Sequence, residues 1–134
     1  MDSDLSAVLS YRNPAVITYF CHHHPEFMIP QGEALFADLL GWMWLNKQRA
    51  QQGKKTYLFG PLLELDLLWH VFILHTRDYV QFSMHYFGAY FHHDVEPIGF
   101  EHMMEENELR DYLHDCFHYL GEEWVARRFT DAFL

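Results

Sequence analysis

An all-α fold is predicted for this chain of 134 residues, a single compact domain (1–134) of five to seven helices around a buried central helix at about 61–75. Three observations carry that expectation. Apolar residues recur at i, i+3, i+4 and i+7, and no stretch of alternating apolar and polar residues competes. Proline and glycine fall where these periodic segments should start and stop. Half of the residues are apolar, enough to bury one core without disulfides or a metal staple.

The elements follow in order. Asn13-Pro14 reads as an N-cap followed by proline at the first helical position. That helix runs through Val16, Ile17 and Phe20 into His22-His23-His24 and ends before Pro25. Pro30 opens a longer helix to about Gln52, closed by Gly53, with Leu35, Leu39, Leu40, Trp42, Met43 and Trp44 on a wide apolar face. Lys47 and Arg49 make its end polar, where cations suit the negative end of the helix dipole.

Pro61 opens the third helix, through about His75. Its apolar residues go round nearly the whole circumference, which predicts burial on all sides. Thr76 reads as the N-cap of a fourth helix over 77–87, stopped by Gly88. Residues 89–99 form a loop. A final helical region starts near Phe100 and carries Leu109, Tyr112, Leu113, Cys116, Phe117 and Leu120 at unbroken helical spacing. Gly121 interrupts it, and Glu122 to Phe133 forms a last amphipathic helix.

Composition excludes several classes. With 19 acidic and 9 basic residues the formal charge is −10, the wrong sign for a nucleic-acid footprint or an anionic membrane surface. Twelve Phe, eight Tyr and four Trp exclude intrinsic disorder. The acidic start, with no basic segment ahead of an apolar run, is unlike a secretory signal. No run approaches the roughly 20 apolar residues of a membrane span. Cys21 and Cys116 form no disulfide framework and read as small core residues in a reducing compartment. The expected location is cytoplasmic.

Eleven histidines are the unusual entry. Asp66 and His70 stand one turn apart on the apolar third helix, so they share a face. A buried carboxylate requires a partner, so this pair is either a structural polar contact or part of a metal or acid–base site completed elsewhere. His92-His93-Asp94 is the candidate for the missing ligands, one histidine at a time because consecutive side chains diverge; the alternative is that one histidine packs under the loop and the other is solvated. His114 and His118, with Asp111 and Asp115, lie opposite the apolar stripe of their helix and read as a solvated face. Cys21 to His24 reads as helix-end capping, with Cu or Zn binding as its alternative. No nucleophile elbow, HExxH or phosphate-cradling glycine loop is present, and no catalytic residue is assigned.

The run from Leu65 through Asp66, Trp69, His70 and Tyr79, then Phe87-Gly88 and His92-His93, resembles the glycine-rich domain-containing-protein-like family. That family's pattern is roughly D-x-x-W-H, an aliphatic stretch, a Tyr, F-G and a terminal His pair. This chain, with seven Gly, looks like a short stand-alone version. The resemblance implies no reaction. It marks Asp66, Trp69, His70, Tyr79, His92 and His93 as motif positions and implies one connected polar cluster.

The leading functional expectation is a non-enzymatic binding or adaptor domain for a basic or apolar protein surface, or for a second copy of itself. The alternative is a metal-dependent protein or enzyme holding Zn or Fe on Asp66, His70 and either His92 or His93. A third idea, a pH sensor, draws on the histidine count alone.

Overall fold

The longest helix organises the rest. In the computed structural model, which describes residues 4–94 and 104–129, α3 (Ile29–Gln51) packs against α1 (Leu5–Leu9), α2 (Pro14–His23), α4 (Leu63–Leu74) and α6 (Glu106–Leu120). A single 3-10 turn (Gly60–Leu62) leads into α4, α5 (Thr76–Phe87) follows it directly, and α7 (Glu122–Phe129) closes the described chain. The described residues form seven α-helices and no strand, in one domain, as the helical spacing implies.

Local signals explain most helix ends. The Asp4 carboxylate accepts from the Ala7 N–H at 2.8 Å and starts α1, a helix too short to announce itself by periodicity. Asn13 Oδ1 accepts from the Val16 N–H at 3.2 Å with Pro14 behind it, the expected opening of α2. At the head of α3 the Gln31 side chain accepts from the Met28 N–H, and Pro30 lies in the first turn. His75, rather than Thr76, occupies the cap position before α5. The segment 95–103, including the expected helix start near Phe100, and the chain end from 130 lie outside the described residues, as does His102.

Aliphatic and aromatic side chains from every described α-helix fill one core. Val8, Phe20, Leu39, Met43, Leu65, Phe72, Phe82, Tyr112 and Phe129 are almost wholly buried. Gly32 allows α2 to approach α3 closely, since a Cβ there would lie 2.8 Å from Cys21 Sγ. Trp42 Nε1 donates to the Tyr112 hydroxyl at 2.9 Å, and that hydroxyl donates to the Tyr57 carbonyl at 2.8 Å, which ties α3 and α6 to the connection between α3 and α4. Burial pushes the Cys116 thiol up to about 12, in keeping with an inert core residue.

Several expectations about burial need correction. The all-round burial expected of α4 holds on the side that meets α2, α3 and α5, but Leu63, Leu67 and Leu74 are exposed. These positions share one face with His70 at helical spacing, and no other described helix covers that face. On α6, Asp115 is not solvated: it is buried in an ion pair with Arg49, and Asp111 joins the same network through Arg49 and Lys54 at 3.2 Å each. Arg49, read as part of a polar helix end, is itself 3% exposed. Phe117, counted in the apolar stripe, is exposed instead. The edge of α6 that is buried carries Tyr112, Asp115 and Cys116 together.

Candidate metal centre

Asp66 and His70 sit one turn apart on the uncovered face of α4, and the loop after α5 brings a third side chain to them. Gly88 ends α5 with a φ of 72°, a left-handed conformation open to glycine without a Cβ penalty. The chain then runs back over α4, and burial alternates along residues 90–93. Extended backbone alternates the sides its residues face. Tyr90 and His92 accordingly face outward, whereas Phe91 is buried and His93 turns in.

His93 Nε2 lies 2.6 Å from Asp66 Oδ1 and 3.1 Å from His70 Nε2, and His70 Nε2 lies 3.4 Å from Asp66 Oδ2. One donor atom from each of the three residues falls within 4.8 Å of the others. Without a metal, the 2.6 Å contact is a hydrogen bond in which the His93 Nε2–H donates to the carboxylate. The proton then belongs on Nε2, because His93 Nδ1 is buried with no hydrogen-bond partner among the described residues.

The separations also suit one shared ion. Two ligand bonds of about 2.1 Å put their donor atoms about 3.0 Å apart at a right angle and about 3.4 Å apart at the tetrahedral angle. The 3.1 Å between the two imidazole nitrogens falls in that range; Asp66 faces His93 with Oδ1 and His70 with Oδ2, so its carboxylate would hold the ion through both oxygens or turn to bring one of them to it. The donor set is one carboxylate and two imidazoles, with no thiolate. That combination leaves coordination positions open and suits Zn or Fe(II).

Access is uneven, which corrects the expected buried Asp–His cluster. The His70 side chain is 57% exposed, Asp66 24% and His93 18%. The reason is the uncovered α4 face: one imidazole stands toward solvent while the loop shelters the other two groups.

Trp69 and Tyr79 account for the position of His93. The Trp69 indole stacks on the His93 ring with centroids 4.0 Å apart and planes 23° from parallel. Its Nε1–H donates to the Tyr79 hydroxyl at 2.9 Å, and that hydroxyl donates to the Phe91 carbonyl at 2.6 Å. Burial pushes the Tyr79 phenol well above its ordinary value, so it stays protonated and keeps donating. The Phe91 ring packs edge-on to Trp69 and against Phe87, pinning the residue two before His93. Trp69 and Tyr79 are therefore positioning residues, acting through the loop.

Of the adjacent pair, only His93 enters the group; His92 packs against the Tyr90 ring in solvent. His114 and His118 stack at 6.2 Å on the outer side of α6 and do not join it. His22 and His23 end α2, as their place in the sequence suggests. The spacing of the chain gave no sign of Asp38, buried in the middle of α3, where it accepts from Arg127 and pairs with Arg128 of α7. Its signal was an isolated acid inside the run Ala37-Asp38-Leu39-Leu40.

A family model described as UCP032817-like matches residues 6–125. This replaces the likeness to the glycine-rich domain-containing-protein-like family: that likeness rested on a short motif, whereas the match runs through all but the ends of the chain. No curated protein and no solved structure gives a match.

Proposed function

We propose that this chain, which belongs to the UCP032817-like family, is a metal-binding protein that holds one divalent ion, Zn or Fe(II), on Asp66, His70 and His93. The family name carries no activity, so the proposal rests on the chain's own residues. The observation that supports it most is the convergence of three ligand atoms from two separate elements within 4.8 Å, two of them imidazole nitrogens 3.1 Å apart. Such an ion, with three protein ligands, would polarise a bound water or carbonyl at its open positions. No helix among the described residues is long and apolar enough to cross a membrane.

Titration of metal-stripped, untagged protein with Zn(II), and anaerobically with Fe(II), tests the reading. The expected result is one equivalent bound, with a stability increase of about 2.7 kcal/mol at a free metal concentration 100 times Kd. A stoichiometry unchanged by His70→Ala would assign the ion to exposed histidines of α2 or α6 and sink the proposal.

A second reading, an interaction domain, draws on a different observation. Leu74, Val80 and Met84 are large apolar side chains at 68%, 45% and 52% exposure on the consecutive helices α4 and α5. Self-association through this surface would raise the mass measured by light scattering with concentration, and Met84→Lys would suppress the rise. A monomer at all concentrations removes self-association.

A further inference from the structure

Beside the metal group lies an open groove of about 600 Å³ that shares Asp66 with it. Leu63 and Leu67 give it an apolar lining, and Glu64, Arg127 and Arg128 line it as well. From Glu64 to the middle of the Asp66–His70 turn is four residues, a rise of about 6 Å along the helix.

The two arginines are held differently. Arg128 is paired with two carboxylates, Asp38 at 3.1 Å and Glu64 at 3.4 Å. Arg127 grips the buried Asp38 carboxylate with two bonds, Nε at 3.2 Å and Nη2 at 2.7 Å. Neither bond uses its Nη1 edge, and the side chain is 47% exposed. A guanidinium fixed on one edge by a buried carboxylate presents its remaining N–H groups at little further entropic cost. Exposed leucines beside it offer an apolar body a place to lie.

We propose that this groove takes a small organic carboxylate with a short apolar body. The carboxylate sits on the Nη1 edge of Arg127, the body crosses Leu63 and Leu67, and the far end reaches the ion at Asp66, His70 and His93. The last element rests on the metal reading above; the first two do not. Glu64 and Asp66 in the groove, and Glu123 near Arg127, work against an anion, so recognition depends on the remaining N–H groups of Arg127, to which a bound ion would add. A cationic ligand of the same length finds no place beside Arg127.

Hexanoate, whose methyl end makes no metal bond, probes the Arg127 and leucine elements, with hexylamine as its charge-reversed counterpart, titrated calorimetrically into protein with and without zinc. Saturable hexanoate binding is expected, weakened at least tenfold by Arg127→Gln and about fivefold by Leu67→Ser, with no binding of hexylamine. Leu67 is exposed, so its variant keeps the fold, and Asp38 retains Arg128 when Arg127 is replaced. Zinc binding without hexanoate binding overturns the groove and spares the metal centre. Hexanoate binding without zinc binding removes the metal centre and leaves the groove. Hexanoate affinity lost in His70→Ala but unchanged in Arg127→Gln overturns the assigned orientation, because the carboxylate would then sit on the ion.

Discussion

His93→Ala is expected to lower zinc affinity by more than about 100-fold while leaving the helical content unchanged. Outer partners of metal ligands alone are worth about 10–100-fold, and His93 is a ligand itself. It also links the other two, since its Nε2 is the nearest neighbour of both Asp66 Oδ1 and His70 Nε2. Without it, Asp66 and His70 remain an exposed i, i+4 pair of the kind many surface helices carry. Tyr79→Phe separates ligation from positioning. It removes the hydroxyl that joins Trp69 Nε1 to the Phe91 carbonyl and leaves both groups buried without that partner. The expected cost is about 1–3 kcal/mol of stability, and metal affinity should fall by about tenfold, less than for His93→Ala. Competition titration against a zinc chelator, paired with urea unfolding, reads both quantities. Equal affinity in wild type and His93→Ala would remove His93 from the site.

Arg49→Ala should cause the largest loss of stability, about 3–5 kcal/mol, because removing one member of a buried pair leaves an uncompensated charge. Arg49 is buried deep between α3 and α6, where it meets Asp115, donates through Nε to the Lys55 carbonyl at 2.8 Å and lies 5.2 Å over the Tyr112 ring. After its loss, Asp115 keeps Lys54 at 3.6 Å, from a side chain far more exposed than Arg49. The paired change Arg49→Met with Asp115→Leu should recover most of the loss, since apolar groups of similar volume replace such pairs at little cost. Urea denaturation of the three variants measures it. A single-variant loss under about 1 kcal/mol would mean that water already reaches Asp115, as at an ordinary surface ion pair.

Residues whose partners lie nearby in sequence were readable, and those whose partners come from another helix were not. Asn13-Pro14, Gly88 and the stripe of α6 announce their elements because caps and periodicity are local. Asp66 and His70 were visible for the same reason, and the outer position of one loop histidine follows from the divergence of adjacent side chains. The partner of Arg49 lies 66 residues away, and its burial depends on how α6 crosses α3. A hint existed: Arg49 falls on the same helical face as Leu35, Leu39, Trp42 and Leu45, a place where a solvated cation has no business. Tyr79 stood out only as a motif position; its bond to the loop was not legible, because its acceptor is a main-chain carbonyl that any residue at position 91 would supply. The exposure of Leu63, Leu67 and Leu74 escaped notice because an apolar residue is free to face water, so periodicity bounds burial from one side only.

The alternation of the loop after Gly88 ties the ligand set to odd and even counting. Position 93 points inward because it is an odd number of steps beyond outward-facing Tyr90, so a change of loop length by one residue changes which side chain arrives there. One residue inserted between Phe91 and His92 would shift the original His92 into the inward slot, and an imidazole would still be delivered. Deletion of His92 would deliver Asp94, a carboxylate, in its stead. The run His92-His93-Asp94 thus keeps a side chain with a metal-ligating atom at that position after a slip of one residue in either direction, which a lone histidine in the loop would not.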